Sequence, residues 1–140
     1  MAGLNPYLTF NGTTEEAFNH YKDIFGGEFA MTMRFSAAKE HVPTHDKDSN
    51  RIMHIALPIG KSVLMGSDTL GGQEVQQGTN VTISFNPDSR SDADRIFKGL
   101  AEGGREVMPM EDTFWGDYFG MAIDKFGINW MINYSEMRRD

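Results

Sequence analysis

The chain has 140 residues, of which 39% are hydrophobic and 24% are charged, and its formal net charge is −7. This length fits one domain with a substantial core, and the average composition excludes disordered, collagen-like and coiled-coil proteins. The acidic balance argues against a surface for nucleic acid or anionic membranes, and the lack of cysteine excludes disulfides, thiolate metal ligands and cysteine nucleophiles.

The first elements in chain order are a strand and a helix. Residues 5–10 alternate like a strand and end at the turn signal Asn11-Gly12. Thr13 and Glu16 then have the spacing of a capping box, and apolar residues recur at helical spacing up to Gly26-Gly27. The residues before the strand contain neither a basic segment nor an apolar signal region, so we expect a cytoplasmic protein.

Three more strands complete the first half of the chain. Residues 28–37 alternate weakly, and residues 51–58 and 62–68 are a pair of strands joined by a turn at Gly60-Lys61. Residues 39–50 are polar and contain Pro43, which predicts a surface loop. Residues 71–78 are rich in Gly and Gln and are typical of a linker.

The second half of the chain repeats the first. Residues 80–86 match residues 5–11 at one fixed offset, and a second helix follows, capped by Ser89 or Ser91 and ended by Gly103-Gly104. Strands are predicted at residues 105–111, 118–124 and 128–134. The order βαβββ therefore occurs twice, in residues 1–70 and 79–140, and the sequence predicts a single α+β domain made of two such modules.

The alternation in the strands separates two faces. Apolar residues on one face match the apolar faces of the helices: Leu8, Phe10, Val81, Ile83, Phe85, Trp130 and Ile132. The other face is semi-polar and contains Asn5, Tyr7, Thr9, Asn80, Thr82, Ser84, Asn129, Met131 and Asn133. A mixed sheet that buries one face under helices and curls the other around a cavity would produce this pattern.

Six segments carry a family resemblance: residues 4–10, 21–27, 53–56, 64–68, 112–116 and 124–131. Together they resemble, along essentially the whole chain, the vicinal oxygen chelate superfamily of glyoxalase I, bleomycin-resistance proteins and extradiol dioxygenases. The similarity is greatest to its PhnB-like branch, sometimes labelled demethylubiquinone methyltransferase-like. The resemblance implies two βαβββ modules in a cupped sheet, a metal in the cavity and a homodimer.

The metal ligands of this superfamily, usually His, Gln or Glu, come from the first and last strands of each module. The resemblance carries these positions to Asn5, Met65, Asn80 and Met131. Two neutral amides and two thioethers supply no charge and little donor strength to the divalent metals of this superfamily. We therefore expect no metal and no cofactor, and we interpret these four residues as cavity lining.

His54 is the most interesting titratable residue, because it shares a strand face with Ile52 and Ala56. If this face lines the cavity, His54 could be a general base near neutral pH; the alternative is a histidine hydrogen-bonded within the sheet. Asp68 and Asp124 end strands and are expected to cap turns. No glycine-rich loop follows a strand and opens a helix, so the sequence does not support methyl transfer.

Two main functional hypotheses follow. In the first, a metal-free cytoplasmic homodimer binds a small, partly aromatic molecule through Asn5, Tyr7, Met65, Asn80, Trp115, Tyr118 and Met131. Trp115 and Tyr118 belong to this set because aromatic rings at a cavity mouth suit planar ligands, although packing in a dimer would also explain them. In the second, a lyase or isomerase uses catalytic His54 as a base, with amides stabilising an oxyanion. A metalloenzyme with ligands from His54 and nearby carboxylates is a third hypothesis.

Overall fold

Each half of the chain folds into a four-stranded sheet with one helix against it. The computed structural model describes residues 2–136, which divide into two units between Gln76 and Gln77. The predicted modules also include residues 1 and 137–140, which lie outside the described part. Residues 71–78 contain no helix or strand.

The first unit has the order βαβββ. Its elements are β1 (Tyr7–Phe10), α1 (Thr14–Phe25), β2 (Met31–Arg34), β3 (Ile52–Ile59) and β4 (Ser62–Asp68). The strand order across the sheet is β1-β4-β3-β2, with β1 parallel to β4 and the other neighbours antiparallel. The loop between β2 and β3 contains two short 3-10 turns, Phe35–Ala38 and Asp46–Asp48.

The second unit repeats this topology. Its elements are β5 (Ile83–Phe85), α2 (Arg90–Ala101), β6 (Arg105–Asp112), β7 (Asp117–Ile123) and β8 (Asn129–Ser135). The strand order is β5-β8-β7-β6, and β5 is again parallel to β8. The two βαβββ modules and the α+β class predicted from the sequence are therefore confirmed.

The core of the first unit lies between α1 and one face of its sheet. Phe18 and Tyr21 of α1 are fully buried, as are Ile55 and Leu57 of β3. Gly66 of β4 permits close packing, because a Cβ there would come within 2.7 Å of the Phe18 ring. Burial of each large side chain stabilises the fold by about 1.5–3 kcal/mol.

The second unit has an equivalent core under α2. Phe97 and Leu100 of α2 are buried, together with Trp130 and Ile132 of β8. Gly120 of β7 lies directly under the helix, since a Cβ there would be 3.0 Å from the Phe97 ring. In both sheets, therefore, one face is covered by a helix and the other is not.

Two details of the predicted core are wrong. Val81 is 72% exposed, because β5 begins only at Ile83 and the preceding segment is held by the Asn129 side chain, which donates to the carbonyl oxygens of Gly78 and Val81. Ile52 is buried although the alternation placed it with half-buried His54. A register shift between β2 and β3 at this point changes the face of Ile52.

The helices begin differently from the prediction. Thr13 precedes α1, but its side chain makes no capping hydrogen bond and its backbone is not extended, so the capping box is wrong. Asp68 supplies the cap instead: its Oδ1 accepts from Gly12 N at 2.9 Å, Thr14 N at 3.1 Å and Thr14 Oγ1 at 2.7 Å. For α2, Ser89 is the cap, with Asp92 N donating to its Oγ at 3.0 Å.

Asp68 and Asp124 both hold turns, as predicted. The other carboxylate oxygen of Asp68 accepts from Ile52 N at 2.9 Å. Asp124 accepts from the backbone N–H groups of Phe126 and Ile128, and from Trp130 Nε1 at 2.8 Å. The two aspartates are not equivalent in the repeat, because Asp68 ends the last strand of its module and Asp124 follows the third. Both helices of the described chain are too short and polar to cross a membrane.

Candidate functional site

The first sheet has a face that α1 does not cover, and we call it the first helix-free face. It is opposite the face on which Gly66 meets Phe18. The strand register places eight side chains on its central part, with Pro58 and Val63 beyond them at one end: Tyr7, Thr9, Met31, Met33, His54, Ala56, Met65 and Ser67. Of the predicted site residues, Tyr7, His54 and Met65 are thus brought together on one surface.

Two rows of side chains cross this face. In one row, Tyr7 is opposite Met65, Met65 is opposite Ala56, and Ala56 is opposite Met31. In the neighbouring row, Thr9 is opposite Ser67, and His54 is opposite Met33. Ala56 is the smallest side chain in its row, lies between two long methionines and is itself buried, at 7% exposure. We call this low point in the row the depression.

A polar corner lies beside this depression. Tyr7 donates its hydroxyl to Ser67 Oγ at 2.8 Å, and the Tyr7 and His54 rings are 5.9 Å apart at an interplanar angle of 36°. Tyr7 is 48% exposed and His54 is half-buried. His54 makes no hydrogen bond to another described residue, so both of its ring nitrogens are available to a ligand.

The first helix-free face is uncharged apart from any protonation of His54. None of the other seven side chains is acidic or basic. Three of the eight are methionines, whose polarisable sulfur atoms make favourable contacts with aromatic rings. This combination suits a small, neutral and partly aromatic ligand.

The second sheet also has a face away from its helix, the second helix-free face. Met131 lies there between Ser84 and Met121 on the adjoining strands, and Phe119 is opposite Asn133. These side chains are neutral, but Glu111 is opposite Phe119 on the same face. The site residue Met131 is therefore half-buried among neutral neighbours within its own unit.

Trp115 lies at the end of this second face. Its ring centroid is 6.5 Å from that of Phe119 and 4.9 Å from that of Phe114. The indole Nε1 donates to Asp117 Oδ2 at 3.1 Å, which orients the ring while leaving the residue 57% exposed. An exposed and oriented indole is suited to stacking against a planar molecule.

Tyr118 does not share a sheet face with Met131, although the sequence predicted that both contact the ligand. Tyr118 is opposite Tyr134, on the side of the sheet that faces α2. The Arg90 guanidinium lies 4.2 Å from the Tyr118 ring centre, and the Tyr118 hydroxyl donates to Asp94 Oδ1 at 2.5 Å. This hydrogen bond raises the pKa of Tyr118, as do burial and the charge of Asp94, while Arg90 opposes them.

Tyr118 instead lines a cavity of about 100 Å³ that the sequence did not indicate. Its lining consists of Arg90, Asp112, Thr113, Gly116, Tyr118, Tyr134 and Glu136. Arg90 forms ion pairs with Asp112 and Glu136. These residues come from four separate segments, so no sequence motif could have identified the cavity.

The two predicted asparagines precede the first strand of each module. Asn5 is exposed and its Oδ1 accepts from Val63 N at 2.9 Å, which holds the chain before β1 against β4. Asn80 is exposed in the segment before β5. Asn5 and Asn80 therefore lie in the segments that lead into β1 and β5.

The metal implied by the superfamily does not fit this donor set. The residues at these positions offer only neutral donor atoms: Asn5, Met65, Asn80 and Met131. The side-chain oxygen of Asn5 already accepts a hydrogen bond from the backbone N–H of Val63. Within residues 2–136, no group of three or more His, Asp or Glu side chains is arranged to hold a metal ion. The residues at the superfamily's metal-ligand positions are thus chemically unsuited to holding a metal ion.

Comparisons with known proteins agree with the fold and the repeat. The family described as 3-demethylubiquinone-9 3-methyltransferase matches residues 2–133. Protein PA1353 from Pseudomonas aeruginosa is 37% identical, with 96% of this chain and 98% of that chain covered and a TM-score of 0.84. Protein YjdN from Escherichia coli K12 is 29% identical over 93% of both chains.

More distant structures share the fold. The PhnB protein from Bacillus cereus is 21% identical, with 96% of this chain and 100% of that chain covered and a TM-score of 0.79. Structures related to glyoxalases match with TM-scores of 0.60 at 17% identity, a level that shows the fold alone. Because the family match spans nearly the whole chain, this protein belongs to the family described as 3-demethylubiquinone-9 3-methyltransferase.

Proposed function

We propose that this protein binds a small, partly aromatic molecule without the help of a metal, and that the first helix-free face is the main contact surface. The observation that carries the proposal is the grouping of Tyr7, His54 and Met65 on one helix-free face among side chains that include no Asp, Glu, Lys or Arg. Natural ligand sites combine apolar and aromatic walls with a few polar groups that fix orientation. The homodimer and cytoplasmic location expected from the sequence are part of this proposal.

The second helix-free face supports the same proposal. Met131 and Met121 provide sulfur contacts, and Trp115 and Phe119 provide rings. Methionine-rich surfaces adapt to ligands of different shape, because the side chain is unbranched and flexible. A planar molecule would therefore find compatible chemistry on either module.

Methyl transfer, which the family description mentions, is not part of the proposal. In dinucleotide-type and related cofactor sites a glycine-rich turn opens a helix, so that the backbone can approach the cofactor closely. Here the paired glycines Gly26-Gly27 and Gly103-Gly104 follow the helices. The segment that opens α2 contains no glycine.

A screen of neutral one- and two-ring aromatic compounds by thermal shift tests the proposal. A compound that binds the native state raises Tm by mass action. The discriminating variant is Met65→Glu, which adds a charge to the centre of the first helix-free face and should abolish the Tm shift. The matched control is Val81→Glu, which adds the same charge at a position that is 72% exposed in the other unit.

Compounds that stabilise wild type and Val81→Glu but not Met65→Glu would support the proposal. Equal stabilisation of all three proteins, or no stabilisation of wild type by any compound, would contradict it.

The alternative lyase or isomerase is supported by the position of His54 beside Tyr7. It requires that a bound compound be chemically changed, and that His54→Gln abolish this change while binding is kept.

A further inference from the structure

The polar corner on the first helix-free face offers hydrogen-bond donors and acceptors together. Tyr7 uses its proton to bond Ser67 Oγ at 2.8 Å, which leaves the Tyr7 oxygen able to accept and the Ser67 hydroxyl able to donate. A neutral imidazole such as His54 adds one donor and one acceptor. The corner is thus complementary to a group that both donates and accepts.

A hydroxyl group meets this requirement better than the alternatives. An ether or ketone oxygen only accepts, so it would leave the acceptors of Tyr7 and His54 unpaired. A carboxylate or ammonium group would lose hydration without an opposite charge, because Asp, Glu, Lys and Arg do not occur among the eight side chains of this face. The chemistry of the corner therefore favours a neutral hydroxyl.

The depression beside the corner favours an aromatic ring. Ala56 lies between Met65 and Met31 in the strand register, and a third thioether, Met33, is opposite His54 in the next row. Ser67 is two residues after Met65 on β4, and His54 is two residues before Ala56 on β3. Because β3 and β4 are antiparallel, both side chains lie on the same side of the Met65–Ala56 pair. A flat ring over Ala56 would therefore contact sulfur atoms and direct a substituent to the corner.

We propose that the ligand of this face is a phenol-type compound, with its ring over Ala56 between Met31 and Met65 and its hydroxyl bound by Tyr7, Ser67 and His54. This inference rests on the proposed function, because it names the ligand class of the same surface. It adds two requirements that aromatic binding alone does not have. The hydroxyl must be free, and a ring must be able to enter between Met31 and Met65 above buried Ala56.

Titration calorimetry with naphthol, its methyl ether and naphthoate tests the inference. These probes share one ring system and differ in a neutral hydroxyl, a neutral acceptor and an anion. Wild type should bind naphthol about tenfold more tightly than the ether, the effect of one or two hydrogen bonds, and should bind naphthoate more weakly still. Tyr7→Phe should weaken naphthol about five- to tenfold while leaving the ether unchanged. His54→Gln keeps a donor and an acceptor but moves them, so it should weaken naphthol by a smaller factor.

Ala56→Leu tests the position of the ring, because its larger side chain would fill the depression. It should weaken naphthol and the ether equally. His41→Gln and Tyr134→Phe are matched controls, since His41 is exposed in the loop before β3 and Tyr134 lies on the helix side of the second sheet; neither should change affinity. Circular dichroism of each variant establishes that it is folded.

The outcomes separate this inference from the proposed function. If naphthol and its ether bind wild type equally and Ala56→Leu weakens both, the face binds aromatic compounds but the hydroxyl assignment is overturned. If the ether binds and Ala56→Leu has no effect, the assigned position of the ring is overturned. If none of the three probes or the wider aromatic panel binds, the proposed function itself fails.

Discussion

The two modules share one topology but begin their helices in different ways. The first turn of α1 is capped by the carboxylate of Asp68, which is 54 residues from Thr14 in the chain. The first turn of α2 is capped by Ser89, three residues from the Asp92 N–H that it binds. The start of α1 therefore depends on β4 being in place, whereas the start of α2 is encoded locally.

Removal of the long-range cap should have the largest effect. We expect Asp68→Ala to lower the free energy of unfolding by roughly 3–5 kcal/mol, because the donors on Gly12, Thr14 and Ile52 all lose their acceptor. Urea denaturation followed by circular dichroism measures this. Asp68→Asn keeps one acceptor oxygen and should lie between wild type and Asp68→Ala.

Asp46→Ala is the matched control for Asp68, since the Asp46 side chain is fully exposed and pairs only with Lys39 at 3.2 Å. It should change stability by no more than about 0.5 kcal/mol. An equally small effect of Asp68→Ala would show that the long-range cap does not stabilise the first module.

The two glycines under the helices give the next largest effect. A Cβ at Gly66 would lie 2.7 Å from the Phe18 ring and 2.8 Å from the backbone oxygen of Leu8, whereas at Gly120 the nearest atom is the flexible Met110 sulfur at 2.6 Å. Both Gly→Ala changes should destabilise by about 1–3 kcal/mol. We expect Gly66→Ala to be the more costly, because a backbone atom cannot move as easily as a thioether; the reverse order in urea denaturation would contradict this.

Removal of the local helix cap at Ser89 should have the third largest effect on stability. Ser89→Ala should cost about 1 kcal/mol, the usual value for loss of an N-cap hydrogen bond. Thr13→Ala should have little effect, because the Thr13 side chain makes no such bond. Thermal denaturation of both variants makes the comparison, and an equal loss in the two would mean that Thr13 contributes a cap in solution.

The same contrast explains what the sequence could predict. The helices, the strands and the repeat depend on local periodicity, and they were predicted correctly. The Asp68 cap and the burial of Ile52 depend on which strands become neighbours, which periodicity does not contain. Local patterns therefore suggested a capping box at Thr13 that the folded chain does not use.

The candidate site divides in the same way. Tyr7 and His54 were placed by alternation within single strands and Met65 by the family resemblance, and the register brings the three together. The face of Tyr118 could not be predicted, because it depends on the pairing of Tyr118 with Tyr134 on another strand. The polar corner was missed because Ser67 is notable only once Tyr7 is known to donate to it.

Tyr118→Phe should have the smallest effect, and this variant tests whether Tyr118 lies on the helix side of the second module. Its hydrogen bond to Asp94, with burial and the charge of Asp94, raises its pKa above the usual value of a tyrosine, despite the opposing Arg90. Because the folded pKa is above the unfolded one, this stabilisation is fully present below about pH 10 and is lost as the pH rises through the folded pKa.

Urea denaturation at a series of alkaline pH values should therefore show a steeper loss of stability for wild type than for Tyr118→Phe. The difference should stay below about 1 kcal/mol, because solvent screens a partly exposed group. Identical pH dependence in the two proteins would mean that Tyr118 is not held by Asp94, and that its ring is free to leave the helix side.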